Sequence, residues 1–198
     1  MSSIVAVDPG RRRFLTAATS VVGAVGTAFA VVPFLSSLQP SARARAAGAP
    51  VEADISKLEP GAMIVVEWRG QPVWIVRRTE ENLADLSGLT DILADPDSEK
   101  RQQPEYARNE YRSIKAEYAV LIGICTHLGC SPTFRPEMAP ADLGSDWKGG
   151  FFCPCHGSKF DLAGRVYAGV PAPTNLVVPP YHFLSDTRIL VGEDKGAA

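Results

Sequence analysis

Residues 125–130 read CTHLGC and residues 153–158 read CPCHGS, and these two strings decide how the rest of the chain is organised. All four cysteines of the 198-residue chain fall between Cys125 and Cys155, and two of its three histidines, His127 and His156, lie among them. Cysteines that serve only as small apolar packing residues have no reason to gather around histidines. Each string supplies a Cys and a His able to meet at a metal, Cys125 with His127 and Cys153 with His156. Each also supplies one further Cys, Cys130 or Cys155. Six soft or borderline ligand atoms exceed the four that a tetrahedral metal takes. A cluster of two irons uses four protein ligands and leaves one Cys from each string. In an exported protein such a leftover pair can persist as a disulfide. A zinc site of two Cys and two His is the competing reading, but it gives the other two Cys and the Gly and Ser positions nothing to do.

Outward from the strings, the pattern is that of strands and turns. Tyr118–Ile124 is an apolar run leading straight into Cys125, and Phe151–Phe152 leads into Cys153. Lys159–Leu162 and Arg165–Tyr167 flank Ala163-Gly164 as a predicted hairpin, and Arg188–Val191 closes the domain. Upstream, Met63–Trp68 and Pro72–Arg78 flank Arg69-Gly70 as another. Thr79–Leu93 carries Leu83, Leu86, Leu89 and Leu93 behind a capping Thr79, which predicts a short helix. Asp95–Asn109 is polar, contains Pro96 and Pro104, and is expected to be a surface excursion. With 17 glycines and 16 prolines in the chain, turns are frequent. Residues 51–198 are therefore expected to form a mainly β head, a small antiparallel sandwich or barrel-like domain. The formal net charge of −2 gives no reason to expect a nucleic-acid partner.

The N-terminus has a different character. No charged residue occurs from Phe14 to Ala42, and residues 14–38 supply the roughly 20 apolar positions that a helix needs to cross a lipid bilayer. Residues 1–13 contain Arg11, Arg12 and Arg13, expected on the cytoplasmic side, and Arg12-Arg13-Phe14-Leu15 resembles a twin-arginine export signal. A cleaved signal peptide is the alternative, since Ala42-Arg43-Ala44 offers small-residue cleavage positions. The length of the apolar run favours a retained, single-pass anchor. Residues 39–50, QPSARARAAGAP, read as a flexible tether between anchor and head.

The paired strings resemble the two cluster-binding boxes of the Rieske family, with the cluster-binding part at about 118–178. Combined with an N-terminal anchor, they resemble the iron–sulfur subunits of ubiquinol–cytochrome c reductase, the cytochrome bc complex, of bacterial type. The resemblance implies one [2Fe–2S] cluster per chain, with Cys125 and Cys153 on one iron and His127 and His156 on the other. It implies a disulfide between Cys130 and Cys155, a donor to a bridging sulfur in Ser158, and a covering segment in Pro171-Ala172-Pro173, where Val170 replaces a frequent Gly. It implies partners in cytochrome b, a c-type cytochrome, ubiquinol and the lipid bilayer, with the head on the periplasmic side of the bacterial plasma membrane. One departure stands out: Phe160 occupies a position where the family often has a Tyr that donates to a ligating sulfur, so a lower potential is expected here.

These ligands suit quinol oxidation. Two neutral imidazoles in place of two thiolates make the site less negative, which raises potentials to roughly −150 to +300 mV against about −400 mV for plant-type ferredoxins. A ring nitrogen not bound to iron can also exchange a proton. Electron gain is thereby coupled to proton gain, and His156 or His127 is expected to meet the quinol, with the family favouring His156. The same centre also serves soluble ferredoxins and oxygenases. These need no anchor, and an oxygenase needs a second iron site for which only His182 remains. A third alternative keeps the chemistry and changes the assembly, as in an arsenite oxidase small subunit. His182, in Pro179-Pro180-Tyr181-His182, is expected to be structural, Trp68, Trp74 and Trp147 to be packing residues, and Leu128 to shield the cluster or pack its loop.

Overall fold

A computed structural model describes residues 8–42, 44 and 48–194. Positions 1–7 of the expected signal, 43 and 45–47 of the expected tether, and 195–198 lie outside the described residues. The chain divides into two compact units, residues 1–46 and 47–198.

In the first unit a single helix, α1 (Pro9–Ser37), begins five residues ahead of the apolar run. Its start follows from capping. The Asp8 carboxylate accepts the N–H groups of Gly10 at 2.8 Å and Arg11 at 3.4 Å, and Pro9 sits at the first helical position, where a missing N–H costs nothing. The three arginines thus occupy its first turns. Thr16, Thr19 and Thr27 donate their hydroxyls back to the carbonyls of Arg12, Leu15 and Gly23, so these three polar groups of the apolar stretch are satisfied within the helix. None of its residues is buried, and its most apolar stretch has a mean hydropathy of 1.8. It is long and apolar enough to cross a membrane.

The second unit contains three three-stranded antiparallel sheets. The first joins β1 (Val51–Asp54), β9 (Arg188–Val191) and β8 (Tyr181–Ser185). The second joins β2 (Met63–Trp68), β3 (Gln71–Arg77) and β4 (Tyr118–Ile122), and the third joins β5 (Thr133–Met138), β6 (Lys148–Phe152) and β7 (Lys159–Asp161). Strands β3 and β4 are continuous apolar runs because they are covered on both faces, and every residue of β4 is buried. The β2–β3 turn falls at Arg69-Gly70 as expected, with both residues at positive φ (54° and 71°), the conformation of tight hairpins. Trp74 of β3 stacks on Phe151 of β6 at 4.6 Å, locking the second sheet to the third. The three tryptophans are buried packing residues.

Two expectations change in detail. The helix after Thr79 is shorter, α2 (Glu80–Ser87), closed at its start by a capping box in which Thr79 and Asn82 exchange side-chain and backbone bonds. The hairpin around Ala163-Gly164 shrinks to β7 and one bridge, Phe160 to Val166. Side chains take the backbone groups that a longer ladder would use: the Asp161 carboxylate accepts the N–H groups of Ala163 and Arg165, and Asn175 Oδ1 accepts that of Val166.

The stretch 95–109 is not merely a surface excursion. Asp95, Ser98 and Ala107 are buried, and nearby Arg112 is wholly enclosed. Arg78 and Arg165 are also buried, each donating to backbone carbonyls, and Arg165 pairs with Asp161 at 2.7 Å. Burial pushes the Arg78 and Arg112 guanidinium groups down to about 10, with Asp161 pulling both back up. Carbonyl partners are what make such burial tolerable.

Candidate metal centre

Each box is a loop hanging from the end of a strand, and the two loops share one backbone frame. In the first, the Cys125 N–H donates to the Cys130 carbonyl at 2.8 Å and the Gly129 N–H to the Cys125 carbonyl at 3.0 Å. In the second, the Cys153 N–H donates to the Ser158 carbonyl at 2.8 Å and the Gly157 N–H to the Cys153 carbonyl at 2.9 Å. The fifth residue of each loop is a glycine at positive φ, 83° for Gly129 and 76° for Gly157, a region that side chains disfavour. The first loop leaves its strand through Gly123. A Cβ there would stand 2.2 Å from the Trp74 ring, so only glycine lets the chain pass.

On these two loops the predicted cysteine ligands lie near each other, and so do the predicted histidine ligands. Cys125 and Cys153 are both 2% exposed, and neither is in a disulfide. The rings of His127 and His156 stand edge to face with centroids 4.8 Å apart. His127 is half-buried and its Nδ1 is a buried atom without a hydrogen-bond partner, whereas His156 is exposed. A buried, unpartnered ring nitrogen is costly unless something else occupies it. Two shielded thiols and one such nitrogen form a donor set that fits a two-iron cluster.

The remaining two cysteines are joined. Cys130 and Cys155 form a disulfide across the loop ends, 25 residues apart in sequence. The sulfurs of Cys130, Cys153 and Cys155 lie within 4.8 Å of one another, but bonded sulfurs offer no thiolate, so this trio is not a metal site.

Electrostatics around Cys125 has several sources. Burial pushes its thiol above the usual range and the neighbouring Cys153 pushes the same way, while the polar His127 N–H and Ser158 hydroxyl nearby pull it down. Ser158 is fully buried and its Oγ also accepts the Ala172 N–H at 3.0 Å. Leu128 projects from the first loop, 72% exposed. Phe160, on β7, is completely buried. His182 lies apart from the centre, its Nδ1 at 2.9 Å from the Glu193 carbonyl.

Two contacts had no counterpart in the sequence reading. Thr126, inside the first box, donates its hydroxyl to the Thr174 carbonyl at 2.7 Å, tying the loop to the proline-containing segment. Lys100 reaches the same segment from outside, donating to the Pro173 carbonyl at 2.7 Å. The position of Thr126 within the box was the available signal for the first; no sequence pattern marked the second.

Two family models match the chain. One, described as "Ubiquitinol-cytochrome C reductase Fe-S subunit TAT signal", matches residues 1–41. The other, described as "Rieske [2Fe-2S] domain", matches residues 49–182. The chain is similar to the ubiquinol-cytochrome c reductase iron-sulfur subunit of Allochromatium vinosum, 68% identical over 192 residues that cover 97% of this chain and 93% of that one. It is 44% identical to the corresponding subunit of Bradyrhizobium diazoefficiens, over 93% of this chain and 95% of that one. A chain from a structure titled "Hyperthermophilic respiratory Complex III" is 26% identical, with a TM-score of 0.48 over 89% of this chain and 98% of that one.

Proposed function

Because the chain belongs to the Rieske iron–sulfur subunits of ubiquinol–cytochrome c reductase, we propose that it takes an electron and a proton from ubiquinol and passes the electron to a c-type cytochrome. The observation that carries this reading is the pair of imidazole rings, 4.8 Å apart, beside two buried thiols outside any disulfide. Cys125 and Cys153 are assigned to one iron, and His127 and His156 to the other. When bound, the [2Fe–2S] cluster supplies a one-electron acceptor whose potential lies within reach of quinols.

The chain's own residues do the rest. Buried Cys125 and Cys153 keep water from the sulfur side. On the first loop, His127 turns its unpartnered Nδ1 inward. Exposed His156 is the ring best placed to accept a hydrogen bond from a quinol hydroxyl and then its proton. The Cys130–Cys155 disulfide holds the two exposed loops together while the site stays open on the histidine side. Residues 14–38 serve as the single-pass anchor in the bacterial plasma membrane, with residues 1–13 cytoplasmic, 39–50 as tether and 51–198 as a periplasmic head. Cytochrome b is the partner at the quinol site.

Low-temperature EPR of the dithionite-reduced protein tests the ligand set. The expected signal has an average g below that of four-cysteine clusters, and His127→Cys and His156→Cys should each abolish it or move it toward the four-cysteine type. Zinc in the purified protein, or an unchanged spectrum in either variant, overturns the assignment.

A further inference from the structure

The segment from Pro171 to Leu176 forms neither strand nor helix, so individual contacts must hold it in place. On one side it meets the boxes, through Ala172 to Ser158 and Thr126 to Thr174. On the other it meets the stretch 95–112. Lys100 Nζ donates to the Pro173 carbonyl at 2.7 Å, Asn175 Nδ2 to the Asp95 carbonyl at 2.9 Å, and Arg112 Nη2 to the Leu176 carbonyl at 2.7 Å. The Asp95 carboxylate accepts the N–H groups of Glu99 and Lys100 and so shapes the turn that presents Lys100. Asn175 and Arg112 are fully buried, whereas Lys100 is exposed.

We propose that Lys100 is a positioning residue for the cluster: by holding the Pro173 carbonyl it seats Ala172 against Ser158 and thereby aims the Ser158 hydroxyl at the sulfur side of the cluster site. This rests on the ligand assignment above. A serine hydroxyl has one hydrogen and two acceptor lone pairs. With the Ala172 N–H occupying a lone pair of the buried Ser158 Oγ, the hydrogen is left to point away from Ala172, toward the cluster side of the loop. A donor to a cluster sulfur favours the more negative, reduced form, so a loosened Ala172 lowers the reduction potential.

The test uses the full-length, cluster-loaded protein, with EPR-monitored redox titration and amide hydrogen exchange over residues 171–175. Lys100→Met should lower the midpoint potential and speed exchange of the Ala172 amide, with an unfolding midpoint close to that of the unmodified protein. Lys100→Arg should restore both readings. Ser158→Ala should lower the potential by itself, and adding Lys100→Met to it should lower the potential little further, because both act through one hydroxyl. Unchanged potential and exchange in Lys100→Met overturn the proposal. So does a shift that adds in full to that of Ser158→Ala, since the lost ammonium charge would then act directly. A protein with no Rieske-type signal at all fails the ligand assignment itself and takes this inference with it.

Discussion

The two box loops have the same backbone and different side-chain duties. Both close with a bond from the first residue's N–H to the sixth residue's carbonyl, and both turn through a fifth-position glycine at positive φ. On this common frame the first loop puts its histidine third and its bridging cysteine sixth, whereas the second puts the bridging cysteine third and the histidine fourth. The outcome is asymmetric: His127 is half-buried with an inward ring nitrogen, and His156 is exposed. The sixth position differs in the same way, with a bridging Cys130 in one loop and a buried hydroxyl, Ser158, in the other. The backbone sets where candidate ligands can stand, and the order of side chains along it sets which face meets protein and which meets solvent.

The largest expected effect breaks the link between the loops. Replacing both Cys130 and Cys155 by alanine removes a cross-link spanning 25 residues and should cost about 3 kcal/mol of stability, read as a lower urea midpoint. An unchanged midpoint would mean that the shared frame alone holds the loops.

The next experiment asks whether the frames are equivalent. A Cβ at Gly129 or Gly157 meets nothing within 4 Å, so alanine at either position carries only the cost of the left-handed conformation, about 1–2 kcal/mol. The two substitutions should agree within about 0.5 kcal/mol in chemical denaturation. Unequal losses would show that the likeness of the loops stops at their hydrogen bonds.

The smallest effect concerns the extra donors of the second loop. Phe160 is enclosed beside that loop and cannot donate a hydrogen bond. Phe160→Tyr should raise the midpoint potential by about 40 mV if the new hydroxyl contributes about 1 kcal/mol to the reduced form. A redox titration showing no rise would remove Tyr-to-Phe replacement as a cause of lower potential.

Much of this molecule was legible in the sequence because its strongest signals are local. The two boxes hold their candidate ligands within six residues each, and the apolar run at 14–38 needs no fold to be read as a candidate span. Thr79 at a helix start and Arg69-Gly70 at a hairpin are likewise short-range chemistry. The stretch 95–109 is mostly exposed or half-exposed, as its polarity and two prolines suggest, but nothing in that pattern marks the buried Asp95, Ser98 and Ala107 within it. Asp95 is held by a partner 80 residues away, Asn175, whose Nδ2 donates to its carbonyl. The strands β5 and β8 were missed for a related reason: TFRPEM and YHFLS show little apolar alternation, and each is defined by its pairing with a neighbour.

What the sequence determined alone was the candidate donor set and its division between two loops, because metal-binding chemistry is written in residue types at short spacing. Only the tertiary structure decided which histidine is buried and which exposed, how the segment 171–176 is held, and that Lys100 reaches it. Those facts depend on burial and on hydrogen bonds between residues far apart in the chain. Such contacts exist only once the apolar strands have packed, and no pattern along a single stretch encodes them.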